Sequence, residues 1–210
     1  MRKLPIFRTL ALLTAFAATL ISQAPAQARA ANQFSFVIHD VIASDAIAQV
    51  REEVVDLGLT GGRIVDPDLE IVHATQDHMH VVYPAGHPLG DAERIDVAEL
   101  ARHPLVLMHP ATSVRAVVDA AFLAAGRSPL VAAEATYMST AVGMVRAGLG
   151  AAILPGSAME VRAERTLRSR PVDDPRFTRE VSLIKKADRT LPPAAESFAR
   201  TLVDALNAPN

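Results

Sequence analysis

The chain has 210 residues, of which 50% are hydrophobic and 21% are charged, and this composition excludes an intrinsically disordered or fibrous protein. Its length allows one large domain or two small ones. The formal net charge of −2 at pH 7 gives no electrostatic sign of nucleic-acid binding, and the absence of cysteine excludes disulfides, a thiolate nucleophile and cysteine metal sites.

The N-terminal segment has the layout of a secretory signal peptide. A basic start is followed by an uncharged apolar run, residues 9–21, and then by small residues. This order predicts a leader over residues 1–30, cleaved near Ala28 or Ala30, and a periplasmic or otherwise exported protein. The apolar run is too short to span a membrane comfortably. The alternative is that residues 10–22 are the remnant of a first helix of the following domain, in which case the protein is cytoplasmic.

The segment after the leader shows a strand–helix–strand pattern. Alternating apolar residues predict a strand at residues 34–41, and helical spacing predicts a helix that begins at Ser44 or Asp45. The next predicted strand, residues 55–60, ends in Thr60 at the edge where open α/β sheets bind ligands; a turn threonine beside two glycines is the alternative. Other predicted elements are strands at residues 69–74, 78–84, 166–172 and 178–185, and helices at residues 95–101 and 194–206.

Residues 105–155 carry the clearest pattern in the chain. Apolar runs alternate with amphipathic segments that begin beside hydroxyl residues and end at glycine, which is typical of a βαβαβ unit with a parallel sheet. The predicted elements are a strand at residues 105–108, a helix from Thr112 or Ser113 to Gly126, a strand at residues 130–135, a helix from Ser139-Thr140 to Gly148, and a strand at residues 151–154 that stops at Pro155.

The two helix N-termini in this stretch suit an anionic ligand. Free backbone N–H groups and the helix dipole favour a negative charge there, and each N-terminus also carries hydroxyl groups. A backbone N–H near Met138 is as good a candidate contact as a side chain. Alternatively, the hydroxyl groups are only caps and Pro155 only ends its strand. The candidate ligand-binding residues are Thr60, Thr112, Ser113, Met138, Ser139, Thr140 and Pro155.

No pattern in the sequence indicates catalysis, a cofactor or a metal. His78 and His80 lie two apart on a predicted strand, but their spacing compels no third ligand. Ser182 and Lys185 match Ser-x-x-Lys but lie on a strand, whereas this motif opens a helix in serine hydrolases. Arg146 has the donors to clamp an acid, but its place late in a helix favours the surface. The sequence therefore predicts a protein that is not an enzyme.

Several of these segments resemble the effector-binding domain of LysR-type transcriptional regulators. The matching pieces are FVIHDVIASDAIAQVREEVVDLGLTGG, VVYPAGHPL, HPATSVRAVVDAAFLAAG and EATYMSTAVGMVRAGLGAAILP, in this order. Each piece consists of common residues, but their order and spacing are specific. The resemblance covers residues 34–206.

The resemblance implies a two-lobed α/β fold of the periplasmic-binding-protein-like type 2 class, with an incomplete first lobe. It places the domain at residues 31–210, with lobe I at about residues 34–87 and 176–207 and lobe II at about residues 88–175. The family's winged helix-turn-helix and the first strand and helix of lobe I are not recognisable. Either residues before Phe34 or another chain fill the place of that strand, or the first lobe is poorly stable.

The resemblance also implies a function. We expect a domain that binds a small carboxylated effector, does not bind DNA directly, and pairs with a second copy or with a full-length regulator. The alternative is an exported periplasmic solute-binding protein of the same two-lobed fold, which the leader would suit.

Overall fold

The computed structural model describes residues 9–12 and 35–207. These form two compact units. Unit 1 contains the described residues up to Thr75 and from Val181 onward, and unit 2 runs from Gln76 to Glu180. None of the described helices is long and apolar enough to cross a membrane.

The described elements are short strands alternating with helices, which confirms the predicted α/β class. In chain order they are β1 (Thr9–Leu12), β2 (Ile38–His39), α1 (Ala43–Arg51), β3 (Val55–Gly61), β4 (Leu69–Pro84), a 3₁₀ turn (Pro88–Gly90), α2 (Val97–Leu100), β5 (Pro104–Met108), α3 (Ser113–Ala124), β6 (Leu130–Ala135), α4 (Met138–Arg146), β7 (Ala151–Pro155), α5 (Met159–Ala163), β8 (Leu167–Pro171), β9 (Thr178–Lys186) and α6 (Pro193–Asn207).

The sheet of unit 1 has the strand order β2–β1–β3–β9. β1 is parallel to both of its neighbours, with Leu10 opposite Ile38 and Leu12 opposite Leu59, and β9 is antiparallel to β3. A strand from the segment before residue 34 thus lies between β2 and β3, one of the two sources we expected to fill this place. β1 also falls inside the predicted leader, whose cleavage positions, Ala28 and Ala30, lie outside the described residues.

Helices cover both faces of this sheet. Leu57, Leu59 and Leu202 belong to one buried cluster, which α6 closes from one side. On the other side, Gly58 allows α1 to approach closely, because a Cβ added there would lie 2.8 Å from Val50 Cγ2. The alternation along β3 therefore determines which helix packs on which face.

The sheet of unit 2 has the order β8–β4–β7–β5–β6, and its core contains the βαβαβ stretch. β5 is parallel to β6 and to β7, which confirms the predicted parallel arrangement, whereas β4 is antiparallel to β7 and β8. All of β7, and all of β5 except Pro104, is buried, as expected for parallel strands covered on both faces. Val114, Val118 and Phe122 form the buried face of α3, as the helical spacing predicted.

Several predicted boundaries were wrong. Residues 69–84 form one strand where two were predicted, because the polar break carries Asp77, whose side chain is buried and ion-paired. Of the strand predicted at residues 34–41, the described residues 35–41 form a strand at Ile38–His39 alone, where the backbone pairs with β1. Helix α4 begins at Met138, one residue before the predicted start, and α5 was not predicted.

The place of β1 predicts the outcome of two N-terminal deletions. Deleting residues 2–12 removes β1, whereas deleting residues 2–8 leaves it in place. We expect only the longer deletion to raise hydrogen exchange in β3 and to destabilise unit 1, because each buried backbone group left unpaired costs about 1–3 kcal/mol. Mass spectrometry of deuterium uptake in Val55–Gly61 measures this difference. Equal protection of β3 in the two deletions would contradict the pairing.

Candidate ligand-binding site

The N-terminus of α3 places Thr112 and Ser113 side by side in different roles. Thr112 is the N-cap: its Oγ1 accepts from the Arg115 N–H at 3.2 Å and donates to the His109 carbonyl at 2.8 Å. The only proton of this hydroxyl is therefore engaged within the loop. Thr112 orders the helix start, and its side chain has no donor left for a ligand.

Ser113 has its hydroxyl proton available. Its Oγ lies 2.9 Å from Nη1 of Arg179, and a guanidinium can only donate, so the serine oxygen accepts this bond. The Ser113 proton must point to another acceptor. The backbone N–H groups of Ser113 and Val114, in the first turn, have no partner within the helix. The serine hydroxyl and these two amides are donors suited to a carboxylate.

Arg179 is held by a buried carboxylate. Its Nη2 and Nε lie 3.1 Å and 3.4 Å from Oδ2 of Asp77, and each of the two side chains is only 8% exposed. Burial lowers the pKa of the Arg179 guanidinium, while the charge of Asp77 and its hydrogen bond act in the opposite direction. Arginine stays protonated despite such shifts, so this is a buried ion pair.

Ser157 joins the same cluster from the loop after β7. Its Oγ donates to Asp77 Oδ2 at 2.9 Å, and its backbone N–H lies 3.4 Å from Oδ1. Gly156 makes this approach possible, because a Cβ there would lie 2.9 Å from ring atoms of His80. Loops that follow two parallel strands, β5 and β7, thus bring Ser113 and Ser157 to one ion pair.

The N-terminus of α4 is built differently. Its N-cap, Tyr137, makes no side-chain cap bond, and Met138 is buried, whereas Ser139 and Thr140 are exposed in the first turn. Ser139 lines a cavity of about 240 Å³ between α4 and α5, together with Arg146 and other residues of both helices. No hydrogen bond joins this N-terminus to the Asp77–Arg179 cluster in the described part of the chain.

Arg146 lies on the surface, as its place in the helix predicted. Its side chain is 65% exposed and pairs with Glu164 at 3.2 Å. Hydrogen bonds from the Thr166 hydroxyl and backbone, together with Arg146, lower the pKa of the Glu164 carboxyl. Arg146 therefore joins α4 to the residue that follows α5 through an exposed ion pair.

The last two predicted site residues lie in separate surroundings. Pro155 is buried at the end of β7, has no N–H, and accepts the Ala158 N–H at 3.0 Å with its carbonyl. Thr60 belongs to unit 1, where it is fully buried opposite Ser182, and its Oγ1 has no hydrogen-bond partner among the described residues. Whether either residue contacts a ligand stays a prediction.

The histidines of β4 act as hydrogen-bonding groups within unit 2. His78 donates from Nε2 to the Val172 carbonyl at 2.8 Å, and its Nδ1 lies 3.0 Å from the Thr178 hydroxyl. Burial, and next the neighbouring His78, lower the pKa of His80, whose Nδ1 lies 3.0 Å from Ser169 Oγ. Within residues 9–12 and 35–207, no group of three histidine, aspartate or glutamate side chains could hold a metal ion.

The Ser-x-x-Lys motif shows no arrangement for nucleophilic catalysis. Ser182 is fully buried in β9, and Lys185 pairs with Glu70 at 2.5 Å and donates to the Arg189 carbonyl at 3.1 Å. Positions three apart on a strand point to opposite faces, so Lys185 cannot serve as a base for Ser182.

Sequence reasoning missed Asp77, Ser157 and Arg179. Asp77 and Arg179 are 102 residues apart, and no local pattern links them. No signal in the sequence singles out Arg179, because its strand also carries Glu180 and two lysines. Ser157 could have been found from its place two residues after Pro155, at the predicted ligand edge.

Two α/β units that share two strands, with a hydroxyl-bearing helix N-terminus beyond a parallel strand, define a ligand-binding domain of the periplasmic-binding-protein-like type 2 class. The chain belongs to the LysR substrate binding domain family, which it matches over residues 9–207. The predicted fold class and the resemblance to LysR-type regulators are both confirmed.

Relatives in sequence are transcriptional regulators. The chain is 28% identical to the uncharacterized HTH-type transcriptional regulator YnfL of Escherichia coli, over 77% of this chain and 55% of that protein. It is also 28% identical to the transcriptional dual regulator GltC of Bacillus subtilis, over 72% of this chain and 51% of the relative. The chain thus spans about half the length of the curated relatives it matches.

Solved structures show the same fold at low identity. The regulatory domain of Synechocystis PCC6803 CcmR in complex with 2-PG has a TM-score of 0.82 at 15% identity, covering 95% of this chain and 97% of that one. The effector binding domain of QuiR in complex with shikimate has a TM-score of 0.78 at 18% identity, covering 94% and 95%. The identities are too low to carry over a ligand.

The lowered pKa of His80 predicts how stability depends on pH. The folded protein favours the neutral ring, so this contribution is complete above the unfolded pKa of about 6.5 and is lost as the pH falls below it. We expect His80→Gln to reduce the fall in unfolding free energy between about pH 7 and 5. Ser169→Ala is the control, since it removes a hydrogen bond to His80 but keeps the titrating ring. Urea titrations across this range measure the slope, and an unchanged slope in His80→Gln would refute the assignment.

Proposed function

We propose that this effector-binding domain of the LysR family binds the carboxylate of a small organic acid at the N-terminus of α3. The observation that carries the proposal is the Arg179–Ser113 hydrogen bond, which makes the serine oxygen an acceptor and leaves its proton free to donate. The two first-turn amides of α3 lack partners within the helix and add two further donors. Shikimate, the ligand in the QuiR complex, is itself a carboxylic acid, which supports the same ligand class here.

The other predicted contacts near these helix N-termini have different roles in the proposed site. Thr112 acts through its cap, because its hydroxyl proton is engaged. Met138 offers a backbone N–H at the start of α4, with Ser139 and Thr140 beside it, as a second group of donors.

We also propose that residues 9–12 remain in the mature protein and that it works in the cytoplasm, as its relatives' role in transcription suggests. The family match begins at residue 9, and β1 pairs on both sides, so cleavage near Ala28 or Ala30 would remove an interior strand. Neither the relatives nor the family match supports export. We also propose that the domain pairs with a second copy or with a full-length regulator, whose helix-turn-helix would bind the DNA.

Two neighbouring substitutions test the ligand site. Ser113→Ala removes the unused donor, and we expect about a tenfold loss of affinity for the acid, the equivalent of one charge-assisted hydrogen bond. Thr112→Ala is the matched control: it should cost about 1 kcal/mol of stability and leave the affinity unchanged. Isothermal titration of a panel of organic acids that begins with shikimate and 2-PG measures both.

Two results would refute the proposal. Either no acid of the panel binds the wild-type chain, or the acid that binds does so equally well to Ser113→Ala. A larger loss of affinity in Thr112→Ala than in Ser113→Ala would show that the hydroxyl of Thr112, and not that of Ser113, binds the acid.

A further inference from the structure

The buried Asp77–Arg179 pair lies one hydrogen bond away from the proposed ligand group. One edge of the guanidinium, Nε and Nη2, faces Asp77, and Nη1 reaches Ser113 at 2.9 Å. Both charged side chains are only 8% exposed, so solvent screens their interactions weakly. The charge of Asp77 therefore acts on whatever binds at Ser113.

We propose that Asp77 is a specificity-determining residue of this site, an internal carboxylate that competes with the acidic effector for the positive charge of Arg179. The proposal rests on the proposed function. In the free protein, Asp77 cancels the charge of Arg179. A carboxylate bound at Ser113 is then the second anion beside one guanidinium, and two carboxylates that share a site disfavour each other's charge.

This competition predicts that removing the charge of Asp77 raises the affinity for a carboxylate, which a purely structural ion pair would not do. Without the charge of Asp77, a carboxylate at Ser113 meets an uncompensated guanidinium. We expect it to bind at least about tenfold more tightly, from a single charge removed at short range in a poorly screened site. Loss of the Asp77 charge should therefore lower the stability of the free protein and raise its affinity for acids.

Asp77→Asn is the variant that separates charge from shape. Oδ2 of Asp77 accepts from Nε and Nη2 of Arg179 and from Ser157 Oγ, and an amide oxygen in the same place accepts all three. Only the long contact between Oδ1 and the Ser157 N–H, 3.4 Å, is lost. Because the amide fills the space of the carboxylate, an added anion cannot simply replace the missing group.

Formate is the probe, since it is a carboxylate without further structure and needs no knowledge of the effector. Thermal unfolding is followed in sodium formate and in sodium chloride of equal ionic strength. We expect Asp77→Asn to unfold at a lower temperature than wild type and to be stabilised by formate at about tenfold lower concentration than wild type. Ser157→Ala, which loses a bond to Asp77 but no charge, should respond to formate as wild type does.

A second substitution locates the anion. Asp77→Asn combined with Ser113→Ala should lose the added response to formate. If Asp77→Asn is insoluble, its refolding yield with and without formate gives the same comparison. Asp77→Asn with Arg179→Met, which carries neither charge, should fold without the enhanced response to formate.

Three outcomes would overturn the proposal: the same formate response in Asp77→Asn as in wild type, the same enhanced response in Ser157→Ala, or an enhanced response that persists without the Ser113 hydroxyl. These differ from failure of the proposed function, in which Ser113→Ala binds the acids of the panel as wild type does.

Discussion

The geometry of the loops that follow β5 and β7 in unit 2 depends on one buried ion pair. Asp77 on β4 and Arg179 on β9 hold each other out of contact with solvent, and each then fixes one serine, Ser157 and Ser113. Removing one charge of such a pair leaves the other unpaired in the interior, at a cost of about 3–5 kcal/mol. Two serines from distant loops are thus held in place by charged side chains and not by hydrophobic packing.

The sequence allowed prediction of the βαβαβ stretch because its signals are local. The cap at Thr112, the apolar face of α3 and the positive-φ glycine Gly126 each act within a few residues, and together they specify the helix and its ends. The site required contacts that no local pattern encodes. The long strand β4 shows the same limit. Its polar residues around Asp77 predicted a break, but the strand continues because Asp77 pairs with Arg179, 102 residues further along the chain.

The N-terminal segment shows why composition alone cannot choose between two structures. An uncharged apolar run after a basic start suits a signal peptide, and it suits an interior strand equally well, since both require apolar residues and neither imposes a period over so few positions. Strand pairing is the additional constraint. β3 has β9 on one side and requires a partner on the other, and residues 9–12 pair there in parallel.

Adjacent hydroxyl groups at one helix N-terminus can have opposite chemical roles. Thr112 uses its proton on the loop that precedes it, whereas Ser113 accepts from a group that can only donate and so keeps its proton for something else. Residue type and spacing make both side chains candidates for binding an acid. The hydrogen-bond partner of each hydroxyl decides which one still has a proton to donate. In the proposed site, an arginine beside a serine therefore does more than supply charge. It orients the serine as a donor, and the carboxylate opposite that arginine would limit how much of the charge a ligand can use.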